Sequence, residues 1–398
     1  MAWDGISSRL IHSGDGQFQR RLAASASLPE TFPLYLTSVF TFGDAGAVDA
    51  IYEKKAEGYI YSRMASPNAD AAASVIAAAE DSEDALVFSS GMAAIAATVL
   101  SLVQAGDHLV ASPVLYGGAR EFFANELRRF GVEVSFTGPG RGTVASLARP
   151  NTRLVYTETI SNPLMQVPDI RELAGEAGRL GIPLVVDNTF ATPAVARPLA
   201  LGADVAVYSA TKYLGGHSDI IAGAVTGNRD RLEGIRRFRI LYGTILGPVE
   251  CRLLARSLRT LDLRMARHSE NGLQVALFLE SHPKVEKVFY PGLASSPSRA
   301  VAARQFLNGR FGGMLSFNLR GGEKDALALI RAIGGVPFAP SLAGAAATLS
   351  YAVKTSHRLY SPLDLAEAGI TAGQLRLSVG LEDAGDIVTA LEDGLRCL

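Results

Sequence analysis

The chain of 398 residues has only two cysteines, Cys251 and Cys397. They stand far apart and match no metal-ligand spacing, so neither a disulfide framework nor a cysteine metal motif organises the chain, and a reducing compartment fits. Charge of one sign is lacking too. Lysine and arginine number 38 against 39 acidic residues, a formal net charge of -1. That gives no global field for nucleic acid or an anionic membrane. The opening stretch, MAWDGISSRLIHSGDGQ, has no basic segment followed by an apolar core, the pattern of a secretory leader. Apolar runs such as Met92–Val103 are too short to span a bilayer. Internal repeats and low-complexity linkers are absent as well. The expectation is a soluble cytoplasmic protein with no nucleic-acid and no membrane partner.

What is present is apolar material, 48% of residues against 19% charged, enough for two domains with sizeable cores. Residues 1–60 are rich in Ser, Gly, Pro and aromatics without a clear period and read as an arm that packs on something else; PLYLTSVFTF (Pro33–Phe42) could form a short strand. Residues 61–247 alternate helical runs with short apolar strands: ALVF (85–88), HLVA (108–111), VEVSF (132–136), LVYT (154–157), PLVVD (183–187) and DVAVY (204–208). Strands that are apolar throughout and separated by helices imply βαβ units and a mostly parallel, buried sheet. GAVTG (223–227) reads as one further strand, at an edge or antiparallel. Residues 248–398 open on a long amphipathic stretch of one or two helices, followed by VEKVFY, GMLSFNL and QLRLSVG. They predict a smaller α+β domain with an antiparallel sheet, packed closely on the first.

Ligands of an open parallel sheet bind beyond the carboxyl ends of its strands, so the residues just after each strand are the candidates. Ser89-Ser90-Gly91-Met92 opens a helix and suits either an ordinary cap or a phosphate at a helix N-terminus. Tyr116-Gly117-Gly118 places an aromatic on flexible backbone, either a buried loop tyrosine or a ring stacker. Glu158 and Ser161-Asn162-Pro163 follow the next strand, with Asn162 a turn residue or a donor to a ring oxygen. Asp187 is a carboxylate at the end of an apolar strand, costly unless paired; it is a loop cap or the partner of a protonated ring nitrogen. Ser209, Thr211 and Lys212 bring two hydroxyls and an amine among apolar and glycine neighbours. One planar ligand accounts for all five strand ends, pyridoxal 5′-phosphate, to which proteins contribute a Schiff-base lysine and a carboxylate on the pyridinium nitrogen.

YSATKYLGGHSD, VVDNTF, ETISNP, SSGMAA, LYGG, YIYSR and LRLSVGLED together resemble the Cys/Met-metabolism pyridoxal-phosphate enzymes, the family of the cystathionine γ-synthases, cystathionine γ-lyases and methionine γ-lyases. The resemblance covers nearly the whole chain. It implies an α/β fold-type I transferase with a mostly parallel seven-stranded sheet. Lys212 would be the Schiff-base lysine and Asp187 the pyridinium partner. Ser209, Thr211, Gly91 and Met92 would hold the phosphate. Tyr116 would stack on the ring and act on the leaving group, and Asn162 would touch the ring oxygen or the substrate. Arg376 would clamp the α-carboxylate, and Ser341 would line the substrate pocket. Tyr61 and Arg63 would reach the phosphate of a neighbouring subunit in a homodimer, usually paired into a homotetramer; no metal is implied.

The implied reaction is γ-elimination or γ-replacement on a sulfur-containing or γ-substituted amino acid. The alternatives are β-elimination, or a specialised biosynthetic step on an unusual amino acid. A nucleotide-binding protein without Schiff-base chemistry would want a GxGxxG after its first strand, which this chain lacks. Four departures from the family pattern stand out: Ala346 where many relatives carry a glutamate, Tyr351-Ala352 in place of His-Pro or Leu-Pro, Gly118 two after the tyrosine, and Arg63-Met64-Ala65-Ser66-Pro67-Asn68 in place of RxxNPT. Loss of the carboxylate argues against a distal ammonium group and for a small or uncharged γ-substituent.

Overall fold

The computed structural model describes all residues except 1–4, 14–28, 139–141, 356, 359, 361–364 and 367. Seven strands, β1 (Asp84–Phe88), β2 (His108–Ala111), β3 (Glu133–Phe136), β4 (Thr152–Glu158), β5 (Leu184–Asp187), β6 (Val205–Tyr208) and β7 (Gly223–Gly227), form one sheet. Their order is β1-β7-β6-β5-β4-β2-β3. Neighbours from β6 through β3 pair in parallel. GAVTG is antiparallel to both neighbours, but it lies inside the sheet, and β1 takes the edge.

Both faces of the sheet are buried at its centre, which is why β5 and β6 are apolar without alternation up to their last residues. Leu86, Val185 and Val207 pack on one side with Ile95 and Val99 of the Gly91–Leu102 helix and with Leu232 and Ile235 of the Arg229–Tyr242 helix. Val87, Ala206 and Tyr208 face the other side with Ala72 and Ile76 of the Pro67–Glu80 helix. That helix starts where it does because the Ser66 side chain accepts from the Ala69 amide and Pro67 occupies its first turn, the preferred cap and first-turn residues. The departure at Ser66-Pro67-Asn68 therefore has a local structural role. Asn68 also ties the arm down, accepting from the Tyr35 amide at 2.8 Å and donating to the Pro33 carbonyl at 2.9 Å.

The long amphipathic stretch divides into two helices, Pro248–Leu258 and Leu261–Ser281. A second, antiparallel sheet contains β8 (Val285–Phe289), β9 (Met314–Leu319), β10 (Thr348–Ser350) and β11 (Gln374–Ser378) in the order β10-β11-β9-β8. One buried apolar cluster reaches from Leu10 to Leu395 and includes residues of both sheets. Arg264 fastens the two parts: its guanidinium donates to the Tyr213 carbonyl at 2.7 Å and the Ser257 carbonyl at 2.9 Å.

Part of the predicted arm lies outside the described residues. Of the rest, the Ile6–His12 helix buries Leu10. Pro33–Phe42 does not form a strand. It makes a single bridge, Val39 to Tyr61, and leaves Leu36 and Val39 exposed. A strand needs a neighbour along its length, and among the described residues only Ser38 and Phe40 make backbone hydrogen bonds to one here, Ser62 donating to the Ser38 carbonyl at 2.9 Å and Phe40 to the Ile60 carbonyl at 3.1 Å. No helix among the described residues is long and apolar enough to cross a membrane, and no group of three or more His, Cys, Asp or Glu side chains among them is placed to hold a metal ion.

Candidate active site

A cavity of about 640 Å³ opens beyond the carboxyl ends of the central strands. Gly91, Met92, Tyr116, Asn162, Asp187, Ser209, Thr211, Lys212 and Arg376 all line it. Residues from six separate stretches, the farthest 285 positions apart in sequence by their numbers, thus converge on one space.

The phosphate candidates come from β6 and the start of the Gly91–Leu102 helix. Ser90 caps that helix by accepting from the Ala93 amide at 3.1 Å, which turns the following amides toward the cavity. A side chain at position 91 would force its surroundings to shift: a Cβ there would stand 2.7 Å from Ser209 Cβ and 2.9 Å from Ser209 Cα. The Ser209 amide donates to Thr189 Oγ1 at 2.8 Å. Thr211 is held by Ala222, its hydroxyl donating to that carbonyl at 3.1 Å and accepting from that amide at 2.9 Å.

Two carboxylates form the floor. Asp187 and Glu158 end adjacent strands and are directly paired in register, and both are buried. Asp187 accepts from the Thr189 amide at 2.9 Å and from the Tyr156 hydroxyl at 3.4 Å. Glu158 accepts from the Tyr116 amide at 2.6 Å. Burial raises the pKa of each, and the negative charge of Asp187 pushes Glu158 well above the carboxylate range. Two like charges this close do not both ionise; Glu158 keeps the proton because Asp187 holds more donors. Among the described residues no cation pairs with Asp187.

Lys212 leaves the sheet just after β6 and donates from Nζ to Ser341 Oγ at 3.3 Å. Burial lowers its pKa, and the nearby Arg376 guanidinium lowers it further. Arg376 lies on β11 and is only 2% exposed, so it points inward. It donates from Nη1 to Asn162 Oδ1 at 2.8 Å and from Nε to Ser350 Oγ at 3.1 Å. Burial brings its pKa down to about 10. No carboxylate among the described residues pairs with it. Tyr116 is 42% exposed, and its ring folds back over position 118, where a Cβ would stand 2.7 Å from Cε1. The Gly118 departure therefore gives this ring its place.

Tyr61 and Arg63 are not in the lining of this cavity. Arg63 donates to the Ile240 carbonyl at 2.7 Å and stands 5.6 Å over the Tyr61 ring. Ala346 is exposed and also outside the lining. Tyr351 is a core residue whose hydroxyl donates to the Ala372 carbonyl at 2.5 Å. Sequence reasoning passed over Glu158 as a site residue, though it carries the signal that marked Asp187, a carboxylate ending an apolar strand. It also missed Thr189, Leu342, Thr355 and Arg358, whose loops carry no comparable pattern.

Three features suit pyridoxal 5′-phosphate: a buried Asp187 without a cation, a glycine cradle that a Cβ would fill, and an amine whose pKa is lowered in reach of the same space. The comparisons with known proteins point the same way. The profile of the family described as "Cys/Met metabolism PLP-dependent enzyme" matches residues 11–396. An L-methionine gamma-lyase of Treponema denticola is 38% identical over 396 residues, 98% of this chain and 96% of that protein. A cystathionine gamma-lyase of Bacillus subtilis is 38% identical, covering 97% and 98%. An O-succinylhomoserine sulfhydrylase of Pseudomonas aeruginosa is 37% identical, covering 92% and 90%. The crystal structure of metB from Corynebacterium glutamicum superposes with a TM-score of 0.88 at 32% identity, covering 99% of this chain and 98% of that one. With its fold, cavity and sequence in agreement over almost the full length, the chain belongs to the Cys/Met-metabolism PLP-dependent enzymes.

Proposed function

We propose that the protein catalyses γ-elimination or γ-replacement on a sulfur-containing or otherwise γ-substituted amino acid. The observation that carries this is the grouping of Lys212, Asp187 and Arg376 in one cavity, with Lys212 depressed in pKa by burial and by Arg376. Pyridoxal 5′-phosphate, when bound, supplies an electron sink for charge developing at the substrate Cα. Asp187 would partner the ring nitrogen and hold it protonated. Ser209, Thr211 and the amides of Gly91 and Met92 would hold the phosphate, assisted by the helix N-terminus. Arg376 takes the α-carboxylate in the bidentate geometry its guanidinium favours, and Asn162 orients that guanidinium. Lys212 Nζ removes the Cα proton; a lowered pKa makes more of it the free base near neutrality. Tyr116 would cover the ring and serve the departing group, and Ser341 steadies Lys212.

The same reading divides the chain into an arm (1–60), a cofactor domain (61–247) and a C-terminal domain (248–398). Tyr61 and Arg63 complete the phosphate site of a second copy, giving a homodimer that pairs into a homotetramer in the cytoplasm. The exposed apolar arm residues Leu36 and Val39 support a partner there.

The test is a substrate panel on the purified protein, scoring 2-oxo acid release against thiol incorporation. Lys212→Ala is expected to abolish the borohydride-reducible chromophore and lower kcat at least about 10²-fold, the lower end of a positioned base's contribution. Turnover and chromophore retained in that variant would overturn the reading.

A further inference from the structure

The cavity is lined by four cations, Lys212, Lys354, Arg358 and Arg376, and by only two carboxylates, Glu158 and Asp187. Both carboxylates are buried at the floor and already hydrogen-bonded. Three of the cations are also accounted for. Lys212 and Arg376 have the roles given above, and Lys354 stands 3.2 Å from Glu323.

Arg358 is different. Its guanidinium has no hydrogen bond, ion pair or ring contact among the described residues, yet it lines the cavity. Its neighbourhood is anchored. The Arg358 amide donates to the Thr355 carbonyl at 3.3 Å. Two residues on, the Tyr360 ring lies 5.4 Å beneath Arg120, on the helix that follows Tyr116. This segment therefore sits against the helix that follows Tyr116. Pro340, Leu342 and Ile221 provide the apolar lining. Ala346, exposed and outside the lining, contributes no acid.

We propose that Arg358 receives a second anionic group of the reactants, a carboxylate carried either by the γ-substituent that leaves or by the nucleophile that replaces it. This rests on the γ-elimination or γ-replacement reading and narrows it from a small or uncharged γ-substituent to an acidic reactant. In replacement, the bond from Cγ to the departing atom breaks with its electron pair going to that atom. A pair from the nucleophile forms the new bond to Cγ, and the nucleophile's proton is released to a base. Arg358 takes part in neither bond change. It acts on affinity through charge-assisted hydrogen bonding to a carboxylate.

The experiment uses the holoenzyme and Arg358→Gln, with Arg358→Lys as the conservative variant. The leaving-group arm compares O-succinylhomoserine with O-acetylhomoserine and methionine. The nucleophile arm compares 3-mercaptopropionate with 2-mercaptoethanol as acceptors from O-acetylhomoserine. In at least one arm, Arg358→Gln is expected to raise KM for the acidic reactant about tenfold, the size of one charged hydrogen bond. The neutral reactants and kcat should stay within about twofold, with partial recovery in Arg358→Lys. Salt should weaken the acidic reactant selectively in the wild type and not in Arg358→Gln. Equal effects on acidic and neutral reactants in both arms, or no effect, would overturn the proposal. If no member of the panel is turned over, the γ-elimination reading itself fails. Titrating the cofactor absorbance with the two homoserine esters then still reads whether Arg358 selects the acidic one.

Discussion

At the floor of the cavity, Glu158, Asp187 and Lys212 stand where regular strands end or have just ended. At its mouth, Pro340, Leu342, Thr355 and Arg358 stand on connections around the three-residue strand β10. The floor is positioned by a hydrogen-bonded ladder, so Glu158 and Asp187 are adjacent because β4 and β5 pair in that register. The mouth is positioned by separate side-chain contacts, such as Tyr351 to the Ala372 carbonyl and Lys212 to Ser341. A floor of this kind holds one chemistry. A mouth of this kind can change residue by residue while the chemistry stays, which agrees with relatives of similar identity that are named for different reactions.

The largest effect expected from breaking this contrast comes from the floor charge. Asp187→Asn removes the buried anion proposed above as the partner of the ring nitrogen while keeping its size. A drop in kcat of about 10²-fold or more is expected, the scale of a buried charge left unpaired. Steady-state kinetics and cofactor titration by absorbance check it. Changing Arg358 at the mouth should leave cofactor affinity untouched.

A matched pair of glycines gives a sharper comparison. A Cβ at Gly91 and a Cβ at Gly118 would each come to 2.7 Å of a neighbour. At Gly91 the neighbour is Ser209, close by its Cα as well as its Cβ. At Gly118 it is the far end of the half-open Tyr116 ring. Gly91→Ala is therefore expected to cost about 1–3 kcal/mol, as overpacking against fixed atoms does, and to weaken cofactor binding. Gly118→Ala should cost under about 1 kcal/mol because the ring can swing aside, with its effect confined to turnover. Thermal unfolding and cofactor titration of both variants would show whether floor and mouth differ in stiffness as their construction implies.

A last expected effect lies behind the floor. Glu80 ends the Pro67–Glu80 helix, is buried, and accepts from the Tyr208 hydroxyl and, at 3.2 Å, from Asn188. These two residues adjoin Ser209 and Asp187. Burial raises the Glu80 pKa from 4.5 to about 7. The folded state then binds more protons than the unfolded state between those values, so stability falls as pH rises through that window. The loss is at most about 3 kcal/mol. Scanning calorimetry between pH 5 and 8 should show the melting temperature declining in the wild type and less steeply in Glu80→Gln.

The sequence by itself determined the strands of the large sheet, because a strand buried on both faces must be apolar along its whole length. That condition leaves β2, β5 and β6 as short, fully buried runs, while β3 at the edge carries the exposed Glu133. It also determined Lys212 and Asp187 as candidates, since a charge at the end of such a run is costly without a partner. The tertiary structure alone decided that β7 lies inside the sheet, that Arg376 turns inward, and that Glu158 shares its buried site with Asp187. It also decided that Arg358 joins a cavity whose floor lies some 170 residues earlier in the chain. These depend on strand order, on which face of a strand is covered, and on loops that meet from distant parts of the chain. None of them leaves a local period in the sequence, because their energies come from contacts between residues distant along the chain.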